Sequence, residues 1–296
     1  MIGAMRLILG FCLSIIFSSF HSPGWTANSA SQGVITLGDG RGVMAAPMNV
    51  YFYRPQSFQT NGRILIAIHG KSRNADRYRD YFMDAAERYG VLVLAPEFSR
   101  QNFRGSRQFN LGNLKNRAGH FSSHTVRSFL VIDRVFDQSR EKLRFKQKKY
   151  SLFGHSAGSQ FVHRLILFSP SPKLTAAVAA YAGWYTEPDI KIDFPYGMGN
   201  TLETDSLFRR SFAQKLIIML GQDDDDENHH GLRITMEARA QGAHRLARGR
   251  YFFNRAKEIA QKSNFKFSWQ IKEIPDVGHS GRLMAEAASN ILFGSD

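Results

Sequence analysis

Apolar residues fall along the chain in two alternating rhythms. Residues 63–68 (RILIAI) and 91–95 (VLVLA) are short, unbroken apolar runs rich in branched side chains, the pattern of strands buried on both faces of a sheet. Between them, residues 75–89 have the length and spacing of a crossover helix, with Tyr78, Phe82, Ala85 and Ala86 on one side. The alternation continues with a helix over 123–144, a strand over 150–153, a helix over 158–168 and a small-residue strand over 174–182. A buried strand over 215–220 (KLIIML) follows, then a helix over 232–262 broken near Gly242 or Gly249, a strand over 268–274 and a last helix over 281–293. Strands alternating with helices predict an α/β fold, a mostly parallel central sheet with helices on both faces. Ahead of it, residues 34–37 and 49–53 read as short strands around a Gly-rich turn, an antiparallel edge. Two stretches, 98–119 and 186–211, have no clear period. Long loops after strands of an open α/β sheet sit at its carboxyl edge, where ligands bind, so both are expected walls of a substrate site.

The amino terminus follows a different pattern. One positive charge at Arg6, an almost continuous apolar stretch over 7–20 and a small, polar segment over 21–30 form the signature of a cleaved secretory signal peptide. The apolar stretch is shorter than the roughly 20 residues that span a bilayer as a helix. The expected organisation is a signal peptide over 1–30 and a single domain over 31–296, periplasmic or secreted, without a stable membrane anchor. The sole cysteine, Cys12, lies in the leader, so the mature chain has neither disulfide nor thiol nucleophile, which excludes cysteine hydrolases and thiolate metal sites. With 43% hydrophobic and 22% charged residues the composition is globular, and the net charge of +14 adds an anionic surface or polymer as an expected partner. No nucleic-acid-binding motif is present, and export argues against nucleic acid.

The chemistry centres on Gly154-His155-Ser156-Ala157-Gly158, between a predicted strand and a predicted helix. Glycines are needed at this spacing because the serine occupies a strained turn that lifts its hydroxyl to the top of the sheet. Serine attacks an acyl carbon only when a base takes its proton and an acid holds that base in the right tautomer. Downstream, the strand over 215–220 runs into Gly221-Gln222-Asp223-Asp224-Asp225-Asp226, and the last strand runs into Val277-Gly278-His279-Ser280. Ser156 as nucleophile, Asp224 as acid and His279 as base thus occur in the order Ser, Asp, His, each after a strand. Asp223, Asp225 and Asp226 are the alternatives to Asp224. The acidic string lacks the spaced pattern and glycine of a calcium loop, and the reaction needs no metal or organic cofactor. Two backbone N–H groups are expected to stabilise the oxyanion, that of Ala157 after the nucleophile and that of Lys71 after His69-Gly70. Trp184 and Tyr185, together with His69, Gly70 and His155 around the motifs, are the candidate substrate contacts. Tyr181, Phe98, Phe103 and Phe109 are further candidate lining aromatics.

These motifs, with Arg73-Asn74-Ala75, Tyr78-Arg79-Asp80 and Ala95-Pro96-Glu97-Phe98, make the chain resemble an α/β-hydrolase, and within that fold the secreted esterase and polyhydroxyalkanoate-depolymerase-like group, from about Asn49 onward. One departure stands out: Lys71 follows His69-Gly70 where the His-Gly-Gly-type lipases and esterases carry a further glycine. The resemblance implies hydrolysis of carboxylic esters, on a small or polymeric substrate, through an acyl-enzyme. Two alternatives stay open: a serine peptidase of the same fold, and a non-catalytic hydrolase-fold protein that binds an anionic polymer.

Overall fold

The computed structural model describes residues 31–201 and 205–294; the expected signal peptide over 1–30 lies outside the described residues. Along the chain the strands are β1 (Ser31–Leu37), β2 (Met48–Arg54), β3 (Ile64–Ile68), β4 (Leu92–Pro96), β5 (Tyr150–His155), β6 (Leu174–Ala180), β7 (Leu216–Gly221) and β8 (Gln270–Ile274). The α-helices are α1 (Ala75–Asp80), α2 (Met83–Tyr89), α3 (Gly105–Gln108), α4 (Val131–Lys142), α5 (Ala157–Phe168), α6 (Asp205–Ala213), α7 (Met236–Ala240), α8 (Arg245–Lys262) and α9 (Gly281–Phe293).

The strands form one sheet in the order β1-β2-β4-β3-β5-β6-β7-β8. The β1–β2 and β2–β4 pairings are antiparallel and the rest parallel, as the alternation of strand and helix patterns predicts. The two-residue period of a strand divides the core into two layers. Ile64, Ile66 and Ile68 of β3 join α4, α5 and α8 on one face. Leu65 and Ala67 join Tyr78, Phe82 and Ala86 and the Met284, Ala285 and Ala288 stripe of α9 on the other.

Several helices are shorter than their apolar period suggests, each for a local reason. The helix expected over 75–89 is two, because a break at Tyr81 and Phe82 turns Phe82 into the core, 5.0 Å from the ring of Phe153. The helix expected over 123–144 begins at Val131; before it lie two single 3₁₀ turns, held where the Ser128 hydroxyl donates to Gln108 O at 2.6 Å. The helix expected over 232–262 breaks before α8, at Gly242, whose φ of +146° suits glycine and whose added Cβ would lie 2.8 Å from that of Ala247. Gly249 remains inside α8 because Leu220 presses on it: a Cβ there would sit 2.3 Å from a Leu220 methyl. The 186–211 stretch ends in α6 rather than being wholly irregular.

After β3 the chain crosses to β4 on one side, and β5 then adds on the other side of β3. This reversal opens a crevice at the carboxyl ends of β3 and β5, the position where open α/β sheets bind ligands. Ile68 pairs with Gly154 and His155 with Ala180, so the loops that follow β3, β5 and β6 leave the sheet side by side.

The turn from β5 into α5 brings backbone against backbone. A Cβ on Gly154 would lie 2.3 Å from Gly158 O, and one on Gly158 would lie 2.4 Å from Ile68 O. Because the obstacles are backbone atoms, no side chain can yield. A Gly158→Ala protein is therefore expected to lose about 3 kcal/mol of stability, read as a lower thermal midpoint by circular dichroism; an unchanged midpoint would mean that helix and strand can separate at no cost.

Candidate active site

Ser156 links β5 to α5 with φ 57° and ψ −111°, a conformation that a residue with a Cβ adopts only when its surroundings enforce it. Here they do: the Ser156 N–H donates to Ala180 O at 2.9 Å, and the flanking glycines admit the start of α5 against the sheet. Ala157, the first residue of that helix, has an N–H with no partner in its own helix. Ser156, Ala157, Lys71, Trp184 and His279 line one cavity of about 600 Å³.

His279 stands between β8 and α9, and its Nδ1 lies 2.8 Å from Asp224 Oδ2. Asp224 follows β7 and is 3% exposed, whereas Asp223, Asp225 and Asp226 face solvent. Only Asp224 of the four meets the imidazole. An ionised carboxylate accepts, so Nδ1 carries the proton and Nε2 is left as the basic nitrogen. Asp224 Oδ1 accepts from Arg245 Nη1 at 2.7 Å, and both side chains are buried. Burial on its own pushes the Asp224 carboxyl up, but its bond to His279 and the charges of His279 and Arg245 outweigh this and hold it below the usual carboxylate value.

Other expected contacts lie beneath the cavity rather than along it. His69 is fully buried: Nε2 accepts the Phe98 N–H at 3.0 Å and Nδ1 donates to Gly70 O at 2.9 Å. Burial pushes this imidazole down to about 4, so it stays neutral and holds the β3 and β4 loops together. His155 is likewise buried, with Nδ1 2.8 Å from the Tyr78 hydroxyl and the ring 4.8 Å from that of His279; burial, then the charge of His279, push it down to about 3. Gly70 is buried under the Tyr78 hydroxyl, and Tyr185 is stacked on Phe252 at 4.5 Å. His69, Gly70, His155 and Tyr185, expected to touch substrate, do not line this cavity; the structure buries all four beneath it. Among the aromatics Trp184 and Phe109 line the cavity, while Phe98, Phe103 and Tyr181 belong to the core.

The cavity also holds residues that the motifs do not reveal. Its walls include Lys71, Arg73, Arg100, Arg233 and Arg245, and no carboxylate is among the described lining residues. Arg73 lies 4.1 Å from the Phe109 ring centroid, and Arg100 donates to Lys71 O at 2.9 Å, pinning the loop after β3. Arg245 Nη2 reaches His229 Nδ1 at 3.0 Å, tying the wall to Asp224. The sequence contains one signal for Arg245: with Arg248 it sits three residues apart on a stripe that also carries Gly249 and Phe252, the side of α8 that is buried.

Removing the Asp224 carboxylate leaves Arg245 buried without its counter-charge, so Asp224→Ala is expected to cost about 3–5 kcal/mol at neutral pH, read as a lower thermal midpoint. Because the folded-state carboxyl titrates below its unfolded value of 3.8, this stability is fully present above that value and is lost as the pH falls through the folded one. The gap between wild type and variant should accordingly be constant from neutral pH to about pH 5 and close below about pH 4; a gap that closed between pH 5 and 7 would contradict it.

No protein-family profile matches the chain, and no curated protein matches it in sequence. Solved structures do. Poly(aspartic acid) hydrolase-1 from Sphingomonas sp. KT-1 is 38% identical, with a TM-score of 0.83, over 89% of this chain and 98% of that one. LpqC, a poly(3-hydroxybutyrate) depolymerase from Bordetella parapertussis, is 30% identical, with a TM-score of 0.85, over 89% of each chain. A fluorophosphonate-binding serine hydrolase of Staphylococcus aureus shares the fold at 17% identity and a TM-score of 0.55, over 90% of this chain and 99% of that one. With similarity of this extent in both sequence and fold, the chain belongs to the α/β-hydrolase superfamily and, within it, to the esterase and depolymerase-like group.

Proposed function

We propose that the chain is a serine hydrolase that cleaves acyl bonds in a carboxylate-bearing polymer, with Ser156, His279 and Asp224 as its triad. The observation that carries this reading is the Asp224–His279 pair, whose imidazole shares with the strained Ser156 turn a cavity walled by cations. In the reaction Ser156 Oγ attacks the carbonyl carbon while its proton passes to His279 Nε2, and the carbonyl oxygen takes up the negative charge. The Ala157 and Lys71 N–H groups bind that oxyanion. As the tetrahedral species collapses, His279 returns the proton to the leaving alcohol or amine, and an ester to Ser156 remains. Water, deprotonated by His279, then releases the carboxylate product and frees the serine. Asp224 holds the imidazole in the tautomer that makes Nε2 basic and stabilises the imidazolium formed in both halves.

The charge of the walls separates the two polymer chemistries represented among the similar structures. Poly(aspartic acid), the substrate in the name of the Sphingomonas hydrolase, carries a carboxylate on every unit; poly(3-hydroxybutyrate), that of the Bordetella depolymerase, is neutral along its length. A cavity with Arg73, Arg100 and Arg233 on its walls and no acid among its described lining residues favours the first. The apolar lining by Phe109, Leu111, Trp184 and Leu232 supports a second reading, hydrolysis of neutral esters. The charge pattern of the leader, over 1–30, supports export.

The test is labelling of the protein with a fluorophosphonate probe, followed by product release from poly(aspartic acid) and from poly(3-hydroxybutyrate). Labelling is expected at Ser156 and should be absent in Ser156→Ala, while Asp224→Asn should lower kcat about a thousandfold or more. Turnover of poly(aspartic acid) should show a KM that rises steeply with ionic strength. A folded protein that takes no label would remove the hydrolase reading; labelling with turnover of the neutral polyester alone would select the second.

A further inference from the structure

Arg164 presents an unusual electrostatic problem. It lies on α5, two turns after Ser156, and is fully buried. Its guanidinium donates only to neutral acceptors: Nε to Thr186 Oγ1 at 2.7 Å, and Nη1 to Asn110 O at 3.0 Å, Gln160 O at 3.2 Å and Gln160 Oε1 at 3.1 Å. Nη2 has no hydrogen-bond partner. The ring of Trp184 lies 4.3 Å from this guanidinium and 5.0 Å from that of Arg233. No carboxylate among the described residues forms an ion pair with it. Burial, reinforced by the Arg233 charge, pushes Arg164 down to about 9. It is still protonated at neutral pH, a buried cation without a counter-ion, and such a charge is costly unless something pairs with it.

Gln160 is the element that connects this charge to the cavity. Its Oε1 accepts from two donors, Arg164 Nη1 at 3.1 Å and Asn110 Nδ2 at 2.9 Å. A reversed amide would set its own N–H groups against both, so the orientation is fixed. Nε2 is left as the outward end, beside Gly183, where an added Cβ would lie 3.6 Å from it. Gln160, Asn110 and Gly183 all line the cavity, and Gln160 follows Ser156 by one helical turn. Donation from a cation into Oε1 polarises the amide and makes its N–H groups stronger donors.

We propose that Gln160 is the floor of a carboxylate subsite: its Nε2 donates to a carboxylate of the substrate, and through its amide the buried charge of Arg164 is brought to bear on that anion. The bound carboxylate supplies the counter-charge that the fold withholds from Arg164. A neutral amide in this position accepts a carboxylate without drawing Arg164 into a fixed ion pair, whereas a glutamate would neutralise the arginine and repel the ligand. Gln160 therefore determines specificity through the charge of the polymer side group. This inference rests on the hydrolase reading for the identity of the ligand, and on the Gln160–Arg164 geometry for its place.

The experiment measures binding in the Ser156→Ala background, so that no turnover intervenes. The probes are acetyl-tri-aspartate amide and the isosteric acetyl-tri-asparagine amide, titrated by calorimetry at fixed ionic strength. The parent should favour tri-aspartate about tenfold or more, adding Gln160→Glu should remove at least about tenfold of that preference, and Gln160→Met should remove less because it deletes the donor without adding repulsion. Gln160→Glu should also raise the thermal midpoint by about 3 °C, since Arg164 gains its partner, which checks the uncompensated charge of Arg164 independently of ligand. Preference intact in Gln160→Glu, or a lower midpoint, overturns the subsite while the hydrolase reading stands on its labelling of Ser156. Equal binding of both probes by the parent overturns the carboxylate substrate and the subsite together.

Discussion

The close approach of α5 to the ends of β3 and β5 is the constraint on which the rest of the site depends. Backbone meets backbone where Gly154 faces Gly158 and where Gly158 faces Ile68 O, with room for no Cβ. That contact forces Ser156 to a φ of 57° and presents its side chain to the crevice, at the point where the strand order reverses. The same geometry leaves the first N–H of α5 without an intrahelical partner, beside the loop that carries Lys71. Strain at one residue, maintained by the packing of two glycines, thus sets the Ser156 side chain and the Ala157 N–H in a fixed relation.

Electrostatics sets the second layer of the site. Asp224 is shared between His279 and Arg245, and Arg245 continues to His229 on the cavity wall. Arg248, in the same helix, is spent on carbonyls, donating to Gly183 O, Gly242 O and Arg233 O. Arg164 is spent in the same way on the floor. Buried arginines here serve as multi-branched donors that hold loops by their carbonyl oxygens, a role suited to a planar, always-charged fork. The consequence is an excess of positive charge under and around the cavity, which the protein's own described carboxylates balance only at Asp224.

A basic protein gains solubility and attraction for anions from its net charge, but net charge alone says nothing about where an anion would sit. In this chain the positive side chains of the cavity come from three separate segments: Lys71, Arg73 and Arg100 from the loops after β3 and β4, and Arg233 and Arg245 from the region after β7. Two opposed arms of the fold thereby give the crevice its sign, while Trp184 and Phe109 give it an apolar body.

Much of this architecture was legible in the order of residues. Unbroken branched runs such as ILIAI and LIIML declare strands buried on both faces, because a parallel sheet covered by helices leaves no solvent-facing side to be polar. The Gly-x-Ser-x-Gly spacing and the aspartate and histidine placed after later strands were readable because each depends on local backbone geometry or on chain order. Helix breaks at Phe82, Val131 and Gly242 were not, since a helical period continues through positions where a tertiary contact bends the chain. Nor could sequence separate His69, a buried bracket between two loops, from a residue that touches ligand, because both roles use the same imidazole. The choice of Asp224 among four adjacent acids, the partnership of Asp224 with Arg245 21 residues away, and the unpaired charge of Arg164 were decided by tertiary structure alone. Burial and counter-charge are properties of what surrounds a side chain, and the chain does not specify those surroundings until distant segments have packed together.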